Sequence, residues 1–141
     1  MKKDTVIEYG IMIAANELKI EPMDYAIDYD GVLKDKDLTG LFNPDKSLIF
    51  INGDWLETAN YNEILLVVFH EMRHYYQKKQ IDLLSNGLCI SENNKEVEIW
   101  RKEFKKYHNP FKSSQDIYVN QEIEKDAIEF SCCLIKKIQS L

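Results

Sequence analysis

The chain has three histidines, and two of them, His70 and His74, stand four residues apart in "LLVVFHEMRHYYQ", the stretch from Leu65 to Gln77. Nothing in that stretch breaks a helix, so both rings leave the same face about one turn apart and can hold one metal ion between them. Glu71 is one position round from His70 and points beside that face. It is too strained there to be a further ligand, yet placed to take a proton from a water that such an ion holds. The pattern is HExxH. Two core histidines at a buried helix end, with Glu71 solvated or paired to Arg73, would be a costly alternative, because imidazoles buried on so apolar a helix need partners.

Catalytic zinc usually takes three protein ligands and leaves the fourth position to water. The remaining histidine, His108, precedes Asn109 and Pro110 in an expected loop, and the short HExxHxxGxxH spacing would place its ligand at Gln80. A carboxylate from the last helix is the better candidate. In "QEIEKDAIEFSCCLIKKI", Ile123, Ala127, Phe130, Leu134 and Ile138 form one apolar arc that Ile128 and Ile135 extend. Glu124 falls inside the extended arc, Glu122 and Asp126 at its opposite edge, and Glu129 on the polar side. A lone carboxylate facing a core is unfavourable unless it is paired or bound to a metal, so Glu124 is the physically odd residue, with Glu122 as its competitor.

The elements that position these groups follow from patterning. Thr5 and Glu8 predict a capping box and a first helix to about Leu18, with Val6, Tyr9 and Ile13 on its stripe and Gly10 interrupting it. Tyr25, Ile27 and Tyr29 alternate as in a strand. "LTGLFNPDKSLIFIN" predicts a hairpin, with Leu41 and Phe42 outgoing, Asn43, Pro44 and Asp45 turning, and Ser47 to Ile51 returning. No Pro or Gly occurs between Glu57 and Gln80, which predicts one buried central helix carrying HExxH, followed by "IDLLSNGLCISENN" as a connection. Val97, Trp100, Phe104 and Tyr107 share a face of the next helix, which ends before Pro110, and the last helix runs from near Gln121 to Ile138.

A length of 141 residues with 45% hydrophobic content predicts a single domain over 1–141. A formal net charge of -6 leaves no broad electropositive surface, so nucleic acid is not an expected partner. No run is long enough to span a bilayer, and a membrane is not expected either. Cys89, Cys132 and Cys133 are odd in number and form no CxxC spacing, which predicts small apolar fillers in a reducing, cytoplasmic compartment. The expected fold class is α+β, a small antiparallel or mixed sheet packed on the central HExxH helix with a C-terminal glutamate helix.

In "FHEMRH", "GLFNPDKSLIFIN" and "IEKDAIEFS", spanning roughly Leu38 to Ser131, the chain resembles the gluzincin zinc metallopeptidases, especially the small ones related to the ImmA/IrrE type. In such families the ligand Glu is commonly followed by Ala at the third position and by Phe and a small residue at the sixth and seventh. Counted from Glu124 these are Ala127, Phe130 and Ser131; counted from Glu122 only the other habit, an Asp four residues on, is met, by Asp126. The resemblance therefore implies His70, His74 and Glu124 around one Zn2+ per chain, in a zincin-like fold. Ile128 departs from it where an Asp or Asn often supports a zinc histidine, a role Asp126 is the candidate to fill.

The implied activity is endopeptidase hydrolysis of a protein or peptide substrate, with a regulatory protein as the suggested target and Glu71 as general base. The resemblance makes the strand Leu48 to Ile51 an edge along which an extended substrate would align. Tyr118 is the first candidate to steady the oxyanion, ahead of Tyr75 and His108, and Arg73 is expected to order a nearby carboxylate. The competing function is a zincin-like module that acts by docking to a protein partner, since only about 60 residues surround the two site helices and leave little for a deep cleft.

Overall fold

The computed structural model describes residues 2–35, 37–105 and 121–141. Through them run helix α1 (Lys3–Leu18), strand β1 (Asp24–Asp28), a single helical turn α2 (Val32–Asp35), strands β2 (Gly40–Asn43) and β3 (Leu48–Asn52), and helices α3 (Gly53–Thr58), α4 (Tyr61–Ser85), α5 (Asn94–Lys105) and α6 (Glu122–Gln139). The architecture is α+β with a mixed sheet. Helix α4 is its axis, with α1, α5 and α6 packed around it and β2 laid against its HExxH turn.

Helix α4 is apolar on several sides because it has neighbours on several sides: Ile64, Val68, Phe69 and Met72 are all fully buried. It does not run on from Glu57 as patterning predicts. Asn60 takes an extended backbone, its side chain accepts from the Glu63 amide at 2.9 Å, and the Glu63 carboxylate accepts from the Asn60 amide at 3.0 Å. This reciprocal cap holds Asn60 outside the helix and so separates α3 from α4. At its other end α4 continues to Ser85, taking in the first residues of the expected connection before Gly87 turns the chain at φ 70°.

Helix α1 departs from expectation at its start and in its facing. It begins at Lys3, not at a Thr5 cap, and Lys2 at the N-cap makes no side-chain bond to it. Its buried face is Val6, Ile7, Gly10, Ile11, Ala14 and Ala15, while Tyr9 is exposed. Gly10 explains the rotation. A Cβ there would stand 3.1 Å from both Leu65 Cδ2 and Val68 Cγ1, so the glycine lets α1 pack closely on α4 rather than interrupting its stripe.

The sheet order is β1-β3-β2. Strand β2 pairs antiparallel with β3, Gly40 opposite Ile51 and Asn43 opposite Leu48, and β1 pairs parallel with β3, Asp24 opposite Leu48 and Asp28 opposite Asn52. Strand β3 is therefore interior, which corrects its expected place as an edge. Its sequence already fits that position, because Leu48, Ile49, Phe50 and Ile51 form a continuous apolar run of the kind that suits a strand with neighbours on both sides. The edge nearest α4 is β2.

Helix α5 buries Val97 and Trp100 fully; Tyr107, expected on the same face, lies outside the described residues. On α6 the buried positions are Ile123, Glu124, Ala127, Ser131, Leu134 and Ile135. Cys132 and Cys133 fall between them on the outer side, and with Cys89 they are exposed, so the cysteines do not fill the core as expected. Ile128, placed in the extended apolar arc from the sequence, is also exposed. Among the described residues no helix is long and apolar enough to cross a membrane.

Candidate metal centre

The four-residue spacing on α4 brings His70 Nε2 and His74 Nε2 to 3.2 Å of each other, with the rings edge to face. Across the interface with α6, Glu124 completes the group. Its Oε1 is 2.7 Å from His74 Nε2 and its Oε2 3.2 Å from His70 Nε2. One ligand-type atom from each of the three lies within 4.8 Å of the others. Two nitrogens at about 2.0–2.1 Å from a tetrahedral zinc stand about 3.3 Å apart, so the imidazole spacing suits two ligands of one such ion. Two imidazoles and one carboxylate are also a donor set that catalytic zinc takes, and the residues present fit the group.

Burial explains why Glu124 and not Glu122 joins the histidines. The Glu124 side chain is 1% exposed, whereas Glu122 sits in solvent at 56% beside Lys125. Ile123, Ala127 and Leu134 mark the inner face of α6 and Glu124 lies on it with Ser131, whereas Glu122, two positions back, is turned about 200° from Glu124.

The electrostatics are those of a closed ion pair. Burial by itself would drive the His74 imidazole neutral, but the Glu124 charge, its hydrogen bond and the more distant Glu71 outweigh that and push its pKa up to about 9. Burial likewise opposes a charged Glu124, and the facing His74, with hydrogen bonds from both histidines, holds the carboxyl well below the usual carboxylate range.

Glu71 lies beside the group, 7% exposed, with Oε1 accepting from the Phe42 amide of β2 at 2.9 Å. That bond ties the carboxylate to β2 through one of its two oxygens, and Glu71 also lines the cleft beside the site. The bond depends on Gly40, where a Cβ would stand 2.7 Å from Val67 Cγ1; only glycine lets β2 come this close to α4. The centre opens on one side into a cleft of about 400 Å³ lined by Leu38, Gly40, Leu66, Val67, Ile128 and Cys132. On the other side of Glu71 a smaller hollow of about 140 Å³ reaches Leu41, Pro44 and Phe104.

Behind the histidines is a polar layer that sequence patterning passes over. His74 Nδ1 is 2.9 Å from Gln77 Oε1, and Gln77 Nε2 donates to the Ile123 carbonyl at 3.0 Å and to Asp126 Oδ2 at 2.7 Å. Asp126, expected to support a zinc histidine, makes its contact with Gln77, which in turn reaches His74. Arg73 grips Asp126 with Nε at 2.7 Å and Nη2 at 3.1 Å, so this arginine orders a carboxylate, as expected. The chain does carry a signal for Gln77: it lies three residues beyond His74 and seven beyond His70, on the same helix face as the two histidines.

Of the expected oxyanion donors, Tyr118 and His108 lie outside the described residues. Tyr75 packs its ring against Phe42, with centroids 6.0 Å apart, beneath Lys79. Comparison with models of protein families, with curated proteins and with solved structures found no match.

Proposed function

We propose that this chain is a zincin-like, zinc-dependent endopeptidase of gluzincin type, with His70, His74 and Glu124 as the metal ligands. The observation that carries the reading is Glu124, a carboxylate 1% exposed whose two oxygens face the two imidazoles of an HExxH helix. A buried carboxylate between two histidines is costly to fold without a function, and its geometry suits a divalent ion. A zinc ion held there supplies a Lewis acid that acidifies water and polarises a carbonyl.

The remaining work falls to the chain's own groups. Glu71 would accept the proton of the attacking water and return it to the leaving amine, with the Phe42 amide holding one oxygen of its carboxylate. An extended protein or peptide segment would align on β2, the edge strand beside the site, rather than on β3. That placement runs it past Gly40 and Glu71, between the larger cleft and the smaller hollow. Tyr118 remains the proposed oxyanion donor.

The test is elemental analysis joined to turnover. Purified wild type supplied with zinc should hold one ion per chain, and so should Glu122→Ala; His74→Ala and Glu124→Ala should not. Glu71→Gln should keep the ion and lose cleavage of an unfolded protein substrate. A chain that takes up no stoichiometric zinc, or a Glu71→Gln variant that still cleaves, overturns the proposal.

A further inference from the structure

We infer that Gln77 is a positioning residue that locks His74 into the one tautomer able to present its Nε2 lone pair to a metal. The inference rests on the metal reading above but draws on a different contact. The Gln77 side chain is completely buried, and its amide has one orientation open to it. Both groups near its Nε2, the Ile123 carbonyl at 3.0 Å and Asp126 Oδ2 at 2.7 Å, can only accept. Turning the amide over would set an oxygen against two oxygens. Both Asp126 oxygens already accept from Arg73, Oδ2 from Nε and Oδ1 from Nη2, so this side chain meets Gln77 as an acceptor.

With the amide so fixed, Gln77 Oε1 faces His74 Nδ1 at 2.9 Å and can only accept from it. The proton on Nδ1 is thereby required, and the lone pair of a neutral His74 stands on Nε2, facing His70 and Glu124. The order runs from Arg73 to Asp126 to Gln77 to His74, with Arg73 and His74 adjacent on α4, Gln77 one turn further on, and Asp126 on α6, so the packing of α4 on α6 that delivers Glu124 also sets the ring. The group behind this histidine is a neutral amide, where a carboxylate is the commoner partner, and it orients the ring without adding a full negative charge to it.

The test uses the full chain, stripped with chelator and then titrated with zinc against a chromophoric chelator, in wild type, Gln77→Leu and Gln77→Glu. Thermal unfolding of the metal-free proteins is read alongside, and the His74 Nδ1 proton is followed by nitrogen–proton NMR. Gln77→Leu removes the acceptor and should weaken zinc by about 10–100-fold. Gln77→Glu keeps an acceptor at Nδ1 and should hold zinc within about threefold of wild type or tighter, although it sets a second carboxylate against Asp126 and lowers stability.

If zinc affinity instead follows stability across the three, or Gln77→Leu binds as wild type does, Gln77 is structural and the inference is overturned. Should Gln77→Leu fail to fold, the wild-type ring decides, read where the metal-free imidazole is neutral: a proton on Nδ1 with a bare Nε2 upholds the assignment, and the reverse overturns it. A wild type that binds no zinc removes the proposed function, and the Nδ1 proton still judges Gln77 separately.

Discussion

Replacing Gly40 by alanine tests the closest approach on which the site depends. The Gly40 backbone is outside the left-handed region, so alanine is conformationally acceptable and the whole effect comes from contact. The added Cβ would stand 2.7 Å from Val67 Cγ1 and 3.3 Å from the Phe50 carbonyl oxygen. Ordinary carbon contacts begin near 3.5 Å, so a gap of roughly 1 Å must be opened. Val67 cannot simply swing aside, because a β-branched side chain on a helix keeps one χ1 well.

The strand must therefore lift, and a movement of that size takes the Phe42 amide out of hydrogen-bond range of Glu71 Oε1, now 2.9 Å away. Overpacking of this kind costs about 1–3 kcal/mol, and a buried acceptor left without its donor adds about 1–3 kcal/mol. Reduced freedom of the unfolded chain returns about 0.5–1 kcal/mol, leaving a net loss of roughly 1–5.5 kcal/mol. Urea unfolding of wild type, Gly40→Ala, Val67→Ala and the double variant reads this directly. In the Val67→Ala background the Gly40→Ala cost should shrink to near zero, a coupling of at least about 1 kcal/mol. A Gly40→Ala stability within about 0.5 kcal/mol of wild type, or an equal cost in both backgrounds, refutes the described approach of β2 to α4.

Two further expectations concern pH and the core. Because His74 is raised from its ordinary 6.5 to about 9 by Glu124, its contribution to metal-free stability is complete below pH 6.5 and lost as pH rises through about 9. Glu124 is depressed, so its contribution is present above its ordinary 4.5 and lost as pH falls toward its lowered value. Unfolding midpoints of chelator-treated wild type, with His70, Glu71 and Gln77 intact around the pair, should fall on both sides of that window, and Glu124→Gln should flatten both limbs; matching profiles for the two proteins would remove the ion pair. Trp100, fully buried with the Arg73 guanidinium 5.7 Å from its ring centre, should cost about 3–5 kcal/mol on replacement by alanine, measured in urea, and a loss below about 1 kcal/mol would show that α5 is not anchored there.

The parts of the site that lie on one element are legible in the order of the residues alone. His70 and His74 share a face because helical geometry is local, and nothing between Asn62 and Ser85 interrupts it. Glu124 stands out because a carboxylate among apolar positions signals a partner, whatever that partner is. The hairpin is equally local, since Asn43, Pro44 and Asp45 force a turn between two apolar runs.

What depends on distant segments meeting is decided only by the fold. Glu124 is 54 residues from His70, and its choice over Glu122 follows from which face of α6 docks on α4. The interior place of β3 requires β1 to pair with it from across α2 and β2, a register that hairpin patterning does not contain. Gly10 and Gly40 are ambiguous in the chain for the same reason: a missing side chain leaves no periodic signal, and only the helix or strand that packs into the space shows why it is missing. Gln77 gains its meaning from Asp126 and the Ile123 carbonyl on another helix, because hydrogen-bond direction is set by partners in space and not by neighbours in the chain.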